Sequence, residues 1–295
     1  MFWLPITIVA YFLNAIAVTI DKFLLTKKIP NPAVYTFFIS VLSLVALVLI
    51  PFGFKLYPPI QIIIALIAGL LFTFALLFMF IALHRHEASR VTPFMGGLQP
   101  IFVFILALIF LGEKLDIKSF IAFSVIILGS VIISWQPGKP HSKSYIMAII
   151  STALFAASYT ISKYVYVNQD FISGFIWTRV GAFIGAITLL CYAKNRRDII
   201  TGVKSPKANA GKLFLFGQVS GAISFILVNY AIAISDSVAL VNALRGIEYV
   251  FLLIFVIALS KKFPHFLKEK TSLQILIQKI TAIALIIVGL FILFY

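Results

Sequence analysis

Residues 91–115 read VTPFMGGLQPIFVFILALIFLGEKL, and no charge interrupts them from Val91 to Leu111. A bilayer's hydrocarbon core is ~30 Å thick and takes about 20 helical residues to cross. The stretch therefore reads as a membrane-spanning helix, stopped by Gly112-Glu113-Lys114. Gly96-Gly97 lets another helix approach closely, and Pro100 removes one backbone hydrogen bond at membrane depth. Such a gap is tolerated only where a neighbouring helix or a water-filled cavity serves the freed carbonyl, so the helix is expected to face protein or a cavity. A weaker copy lies in residues 238–260. There Gly246-Ile247-Glu248-Tyr249-Val250-Phe251 aligns with Gly97-Leu98-Gln99-Pro100-Ile101-Phe102.

Composition agrees with the membrane reading. Hydrophobic residues make up 62% of the 295 and charged residues 11%, against about 25% charged in an average protein. A net charge of +15 would point to nucleic acid in a soluble chain. Here the basic residues fall between apolar runs, the pattern of membrane loops, so no nucleic-acid partner is expected. The amino terminus lacks a basic leader and a small-residue cleavage site, and reads as a retained helix. The single Cys191 excludes a disulfide framework. The His84-x-His86 pair has no second cluster to complete a metal site, so neither metal nor cofactor is expected.

Ten apolar windows can be counted, near 4–24, 33–51, 60–83, 91–111, 118–135, 145–167, 173–193, 211–234, 238–260 and 275–295. They predict an all-α polytopic membrane protein of ten helices with mostly short links. Two longer links, 194–210 and 261–272, are basic and are expected on a membrane surface. The windows divide into two sets of five, residues 1–138 and 143–295. Thr19-Ile20-Asp21-Lys22 echoes Thr160-Ile161-Ser162-Lys163, and Ile126-Ile127-Leu128-Gly129 echoes Ile286-Ile287-Val288-Gly289. Five is odd, so the second repeat enters the membrane inverted, an arrangement typical of secondary transporters with a midplane site.

These residues resemble a family. Two five-helix halves, Leu111-Gly112-Glu113 closing the fourth helix, Pro100 within it and Gly129 in the fifth are similar to the EamA-like branch of the drug/metabolite transporter superfamily. The second half departs from the pattern at Tyr249 and at Ala258-Leu259-Ser260-Lys261. The resemblance implies a secondary carrier that exports or exchanges small metabolites. It also implies helices one, three, four, six, eight and nine around a central cavity, with both termini in the cytoplasm.

Polar residues inside the spans mark candidate site positions. Thr7, Asn14 and Asp21 form one stripe, Thr92 and Gln99 another, and Thr152, Tyr159 and Tyr166 a third. Gln218 and Asn229 are nearly in line on the eighth helix. Interhelical hydrogen bonding is the plain account of any one of them, at about 0.6 kcal/mol on average. Asn14, Gln99 and Asn229 together carry more weight, because they sit on helices that would line one cavity.

Charges are sharper. Asn242, Arg245 and Glu248 follow one another at single-turn spacing, and Arg245 and Glu248 can pair at i, i+3. A central Arg costs about 2.5–3.5 kcal/mol on insertion scales, so the pair is either a structural neutralisation or a site where a substrate anion competes for Arg245. Arg179 has no carboxylate near it in sequence and either snorkels to the surface or joins the site. Asp21 and Glu248 are the candidates for a gate or a coupling proton. Glu113 is expected to organise a helix end.

The candidate solute-binding set is thus Asn14, Gln99, Tyr159, Arg179, Gln218, Asn229, Asn242, Arg245 and Glu248. The partners expected are a small-molecule substrate, membrane lipids and a coupling proton. An intramembrane enzyme is disfavoured, since Ser158 and Ser162 have no histidine at matching depth. A channel would want polar rings or oligomeric symmetry. The rival on the same fold is a flippase or export partner for a lipid-linked headgroup. Finally, seventeen basic residues lie in the odd-numbered links, against Lys55, Lys114, Lys118 and Lys163 in the even ones. That bias puts the odd links in the cytoplasm and both termini outside, the reverse of what the resemblance implies.

Overall fold

The computed structural model describes residues 2–27, 31–85, 88–134, 142–203, 208–260 and 273–294. Among them every regular element is helical: α1 (Trp3–Lys27), α2 (Pro32–Leu42), a 3₁₀ segment (Ser43–Phe52), α3 (Pro59–Arg85), α4 (Ala88–Phe110), α5 (Ile117–Ser134), α6 (Ser142–Asn168), α7 (Phe171–Leu189), α8 (Ala193–Val203), α9 (Ala208–Ile234), α10 (Val238–Ala243), α11 (Gly246–Ser260) and α12 (Leu273–Phe294). Six stretches are long and apolar enough to cross a membrane: Trp3–Asp21, Pro32–Phe52, Pro59–His84, Tyr145–Asn168, Phe171–Leu189 and Leu215–Ile234. Phe94–Phe110, Ile117–Ile132 and Ile277–Leu293 are shorter apolar helices. The chain is an integral, multi-pass membrane protein.

Three expectations are corrected. The window at 33–51 is not one α-helix, because α2 passes into the 3₁₀ segment at Ser43. The Ser43 hydroxyl is shared between the Ser40 carbonyl at 2.6 Å and the Arg179 carbonyl at 3.0 Å, and Pro51 has no N–H for an α-type bond. The window at 238–260 is broken at Leu244-Arg245, where the backbone takes i→i−3 bonds. The seventh helix ends at Leu189, and part of the following link forms the amphipathic α8. The α8 helix packs Ile199 inward and ties Asp198 to Asn31 at 2.9 Å, leaving Lys194, Arg196 and Arg197 exposed. His84 lies in the last turn of α3, while His86 and Glu87 lie outside the described residues. So do residues 28–30, 135–141, 204–207 and 261–272, which hold much of the basic links.

Packing pairs helices from the two halves. Helix α1 lies along α9, α3 along α6 and α7, and α5 along α12. Small residues set the closest approaches. A Cβ on Gly69 of α3 would stand 1.8 Å from the Thr178 carbonyl oxygen, and one on Gly181 of α7 would stand 2.2 Å from that of Leu66. In the α5–α12 pair, Gly129 lies against Ala282 and Ile286, and Gly289 against Ile126 and Ala122. The outer faces are apolar, as with Ile105, Leu108 and Ile109 on α4 and Ile280, Ile287 and Phe291 on α12.

Helix ends are held by named contacts. Gly112 adopts φ +64°, which ends α4 and sends the next residue away from the helix axis. Glu113 then accepts from Ser237 Oγ and from the Val238 amide, both at 3.0 Å, so it caps α10 across the bundle as expected of it. Asp170 caps α7 through the Ser173 amide at 2.9 Å and accepts from Tyr57 Oη at 3.1 Å. Burial pushes its pKa up, but bonds from Ser173 and Tyr57 and the nearby Lys55 prevail and hold its carboxyl below the usual range.

Candidate functional site

The break between α10 and α11 organises the polar centre. Because the Arg245 amide bonds to the Asn242 carbonyl at 3.1 Å, the Val241 carbonyl loses its helical donor. The Tyr11 hydroxyl of α1 donates to it instead, at 3.0 Å. Glu248 falls in the first turn of α11, where the helix dipole favours a negative charge.

From this break a string of side chains runs across the bundle. Asn14 Nδ2 on α1 donates to Glu248 Oε2 at 2.8 Å. The same oxygen lies 3.5 Å from Arg245 Nε. Arg245 Nη1 donates to Gln99 Oε1 on α4, and Gln99 Nε2 donates to Asn242 Oδ1 at 3.1 Å. The string ends where Asn242 Nδ2 donates to the Val238 carbonyl at 3.0 Å. Gln99 and Glu248 are fully buried, and Glu248 Oε1 has no hydrogen-bond partner. Tyr159 on α6 interacts electrostatically with Arg245, Arg179 and Glu248. Five of the expected residues, Asn14, Gln99, Asn242, Arg245 and Glu248, therefore form one connected group, with Tyr159 beside it.

Arg179 stands in a second group, between α3, α7 and α9. It does not snorkel: it is 6% exposed, with its guanidinium carbon 4.1 Å from the Phe225 ring centroid, 4.8 Å from that of Phe72 and 5.4 Å from that of Phe175. Each desolvated face contributes about 0.5–2 kcal/mol towards holding the charge. The rings offer no hydrogen-bond acceptor in the plane of the guanidinium, and Nε is buried without a partner. Nearby, Tyr166 Oη donates to Asn229 Oδ1 at 2.9 Å, and Asn229 Nδ2 donates to the Phe225 carbonyl at 2.9 Å.

Asp21 and Gln218 lie apart from both groups. Asp21 Oδ1 accepts from Tyr35 Oη of α2 and, at 3.4 Å, from Gln218 Nε2 of α9. These bonds tie three helices at one end of the bundle. At the opposite end Lys163 is a correction to the loop count. It is 8% exposed inside α6, and its ammonium donates to the Ile232 carbonyl at 3.0 Å and to that of Ser235, capping α9. The side chain of Thr92 lies outside the described residues.

Sequence reading missed Tyr11 and the three phenylalanines. Tyr11 precedes Asn14 by one helical turn, so extending that stripe by its aromatic members would have found it. The rings around Arg179 come from three helices and share no spacing, so no signal along the chain joins them. Among the described residues no cluster of three or more His, Cys, Asp or Glu could hold a metal.

The comparisons with known proteins come down on the same architecture. Residues 1–135 match the EamA-like transporter family. No curated protein matches the chain. A solved structure, described only as the crystal structure of a protein, is similar with a TM-score of 0.65 at 15% identity, over 98% of this chain and 97% of its own. At that identity the likeness concerns the fold alone. By that match, residues 1–135 are an EamA-like transporter segment, consistent with the drug/metabolite transporter superfamily.

Proposed function

We propose that this membrane transporter is a secondary carrier of a small polar metabolite bearing an anionic group, such as an amino acid, a nucleotide-linked or a phosphorylated compound. In this reading it exports or exchanges the solute across the cell membrane, through ten spans built as two inverted repeats, 1–138 and 143–295. The observation that carries the reading is the buried string that links the two halves. Each of its interhelical bonds, Asn14–Glu248, Gln99–Arg245 and Gln99–Asn242, joins the first half to the second. A solute that replaces those bonds loosens one half against the other, which is what alternating access at a midplane site requires.

The test is uptake and exchange in proteoliposomes with a panel of radiolabelled amino acids, nucleotides and sugar phosphates. For any solute carried, Arg245→Gln is expected to lower transport at least tenfold. Lysine at the same position should restore part of it, since it keeps the charge but loses the guanidinium fork. A folded Arg245→Gln variant at wild-type rate overturns the role. In the same vesicles an imposed pH gradient is expected to lose its effect on transport in Glu248→Gln or in Asp21→Asn. If both variants respond as wild type does, proton coupling runs elsewhere.

Orientation follows from charge. With Lys163 removed from the count, only Lys55, Lys114 and Lys118 remain in the even links, which strengthens the bias towards cytoplasmic odd links. Thr201 is exposed on α8 in one of those links. Thr201→Cys, with the exposed Cys191 replaced by serine, is expected to resist a membrane-impermeant thiol reagent until cells are permeabilised. Labelling of intact cells reverses the assignment.

A further inference from the structure

Two arginines lie within apolar stretches of the chain, and among the described residues only Arg245 of the two carries its own counter-charge. Arg245 faces Glu248 at 3.5 Å and is held by Gln99, so that pair is neutral taken together. Arg179 is nine-tenths buried and, among the described residues, meets no carboxylate. Its surroundings are three phenyl rings and the tyrosines Tyr159 and Tyr166, with which it interacts electrostatically. The rings satisfy the charge partly but leave the in-plane donors unused, and Nε is buried with nothing to donate to.

An arginine in this condition can take a planar anion from outside the chain. A carboxylate can accept two parallel N–H bonds from a guanidinium edge, and Arg179 Nε has no other acceptor. One uncompensated positive charge matches one negative charge, so a monoanion is favoured over a phosphate dianion. The walls decide what the anion is attached to. Phe72, Phe175 and Phe225 present apolar surface immediately around the charge, so an aromatic or branched body gains burial there that a small hydrophilic acid does not.

We infer that Arg179, with Phe72, Phe175 and Phe225, forms an anion-binding site for a monocarboxylate carried on an apolar or aromatic body. This deepens the carrier reading and rests on it for its purpose, since it makes the transported solute an amphiphilic acid. Tyr159 lies within electrostatic reach of both arginines, so the two groups share a neighbour.

The test is equilibrium binding to the full-length protein in lipid nanodiscs, by calorimetry, with phenylacetate as probe. Phenylacetamide controls for charge, acetate for the apolar body and inorganic phosphate for a dianion. Phenylacetate is expected to bind saturably and at least tenfold more tightly than each control. Arg179→Gln is expected to weaken it at least tenfold, Arg179→Lys less, and Phe225→Leu several-fold, because leucine keeps apolar volume but loses the aromatic face. The inference is overturned if phenylacetate binds no better than phenylacetamide. It is equally overturned if folded Arg179→Gln binds it as wild type does. Should Arg179→Gln not fold, unchanged affinity in both Arg179→Lys and Phe225→Leu overturns it. Binding with these dependences but no transport of any solute would sink the carrier reading and leave the site standing. Transport by the Arg245 route with no such binding would do the reverse.

Discussion

Replacing Arg245 with glutamine is expected to destabilise the protein by about 3–5 kcal/mol, because it leaves Glu248 buried without its cation. The carboxylate is fully buried, and Asn14 is its remaining donor at 2.8 Å. Glu248→Gln is expected to cost a similar amount, since Arg245 then loses its carboxylate and, among the described residues, keeps the Gln99 acceptor. The double variant should recover most of the loss, because two neutral amides can bond to one another and to Asn14 and Gln99. The measurement is a double-mutant cycle of unfolding free energies in mixed micelles. Additive losses would show that the two side chains stand side by side without interacting energetically.

The second large effect is expected at a glycine. Gly69→Ala puts a methyl group where the Thr178 carbonyl oxygen, the Ala182 nitrogen and the Gly181 carbonyl carbon already lie within 3 Å. All three are backbone atoms that no rotamer change can move. Helices α3 and α7 must separate, and overpacking of this kind costs 1–3 kcal/mol, occasionally more. Gly181→Ala meets the backbone of Leu66 and should behave alike. Gly221→Ala is the control, since its new methyl group would touch only Ala17 Cβ at 3.4 Å. That change is expected to be neutral or to stabilise by up to about 1 kcal/mol through helix propensity. Size-exclusion profiles and thermal unfolding in detergent separate the cases. A monodisperse Gly69→Ala with wild-type unfolding would overturn the close α3–α7 approach.

The six long apolar spans were legible because hydrocarbon thickness forces a minimum apolar length, which a window count detects directly. Individual polar residues at depth, such as Asn14, Gln99 and Glu248, were legible for the related reason that lipid penalises them. Their partners were not. Which oxygen Asn14 meets depends on how α1 and α11 cross, and nothing within either segment records it. The break at Leu244-Arg245 was hidden because Val238–Ala243 and Gly246–Ser260 are both apolar and abut without a proline. The loop count erred at Lys163 for a different reason. A lysine near the end of an apolar run looks solvated, yet here its ammonium serves carbonyls that α9 leaves open at Ile232 and Ser235.

The 3₁₀ segment gives the second span an adjustable reach. A 3₁₀ helix rises about 2.0 Å per residue against about 1.5 Å in an α-helix, so residues 32–52 extend about 36 Å where a continuous α-helix would reach about 32 Å. The stretched part is also the part that exposes its apolar side chains, through Val45, Val48, Ile50 and Phe52. Rewinding it shortens the segment by several ångströms without moving a loop. In a thin bilayer, hydrophobic mismatch pulls towards the shorter form, and in a thick one towards the longer. Because the Ser43 hydroxyl reaches the Arg179 carbonyl, the membrane's own thickness bears on the backbone that holds a buried cation.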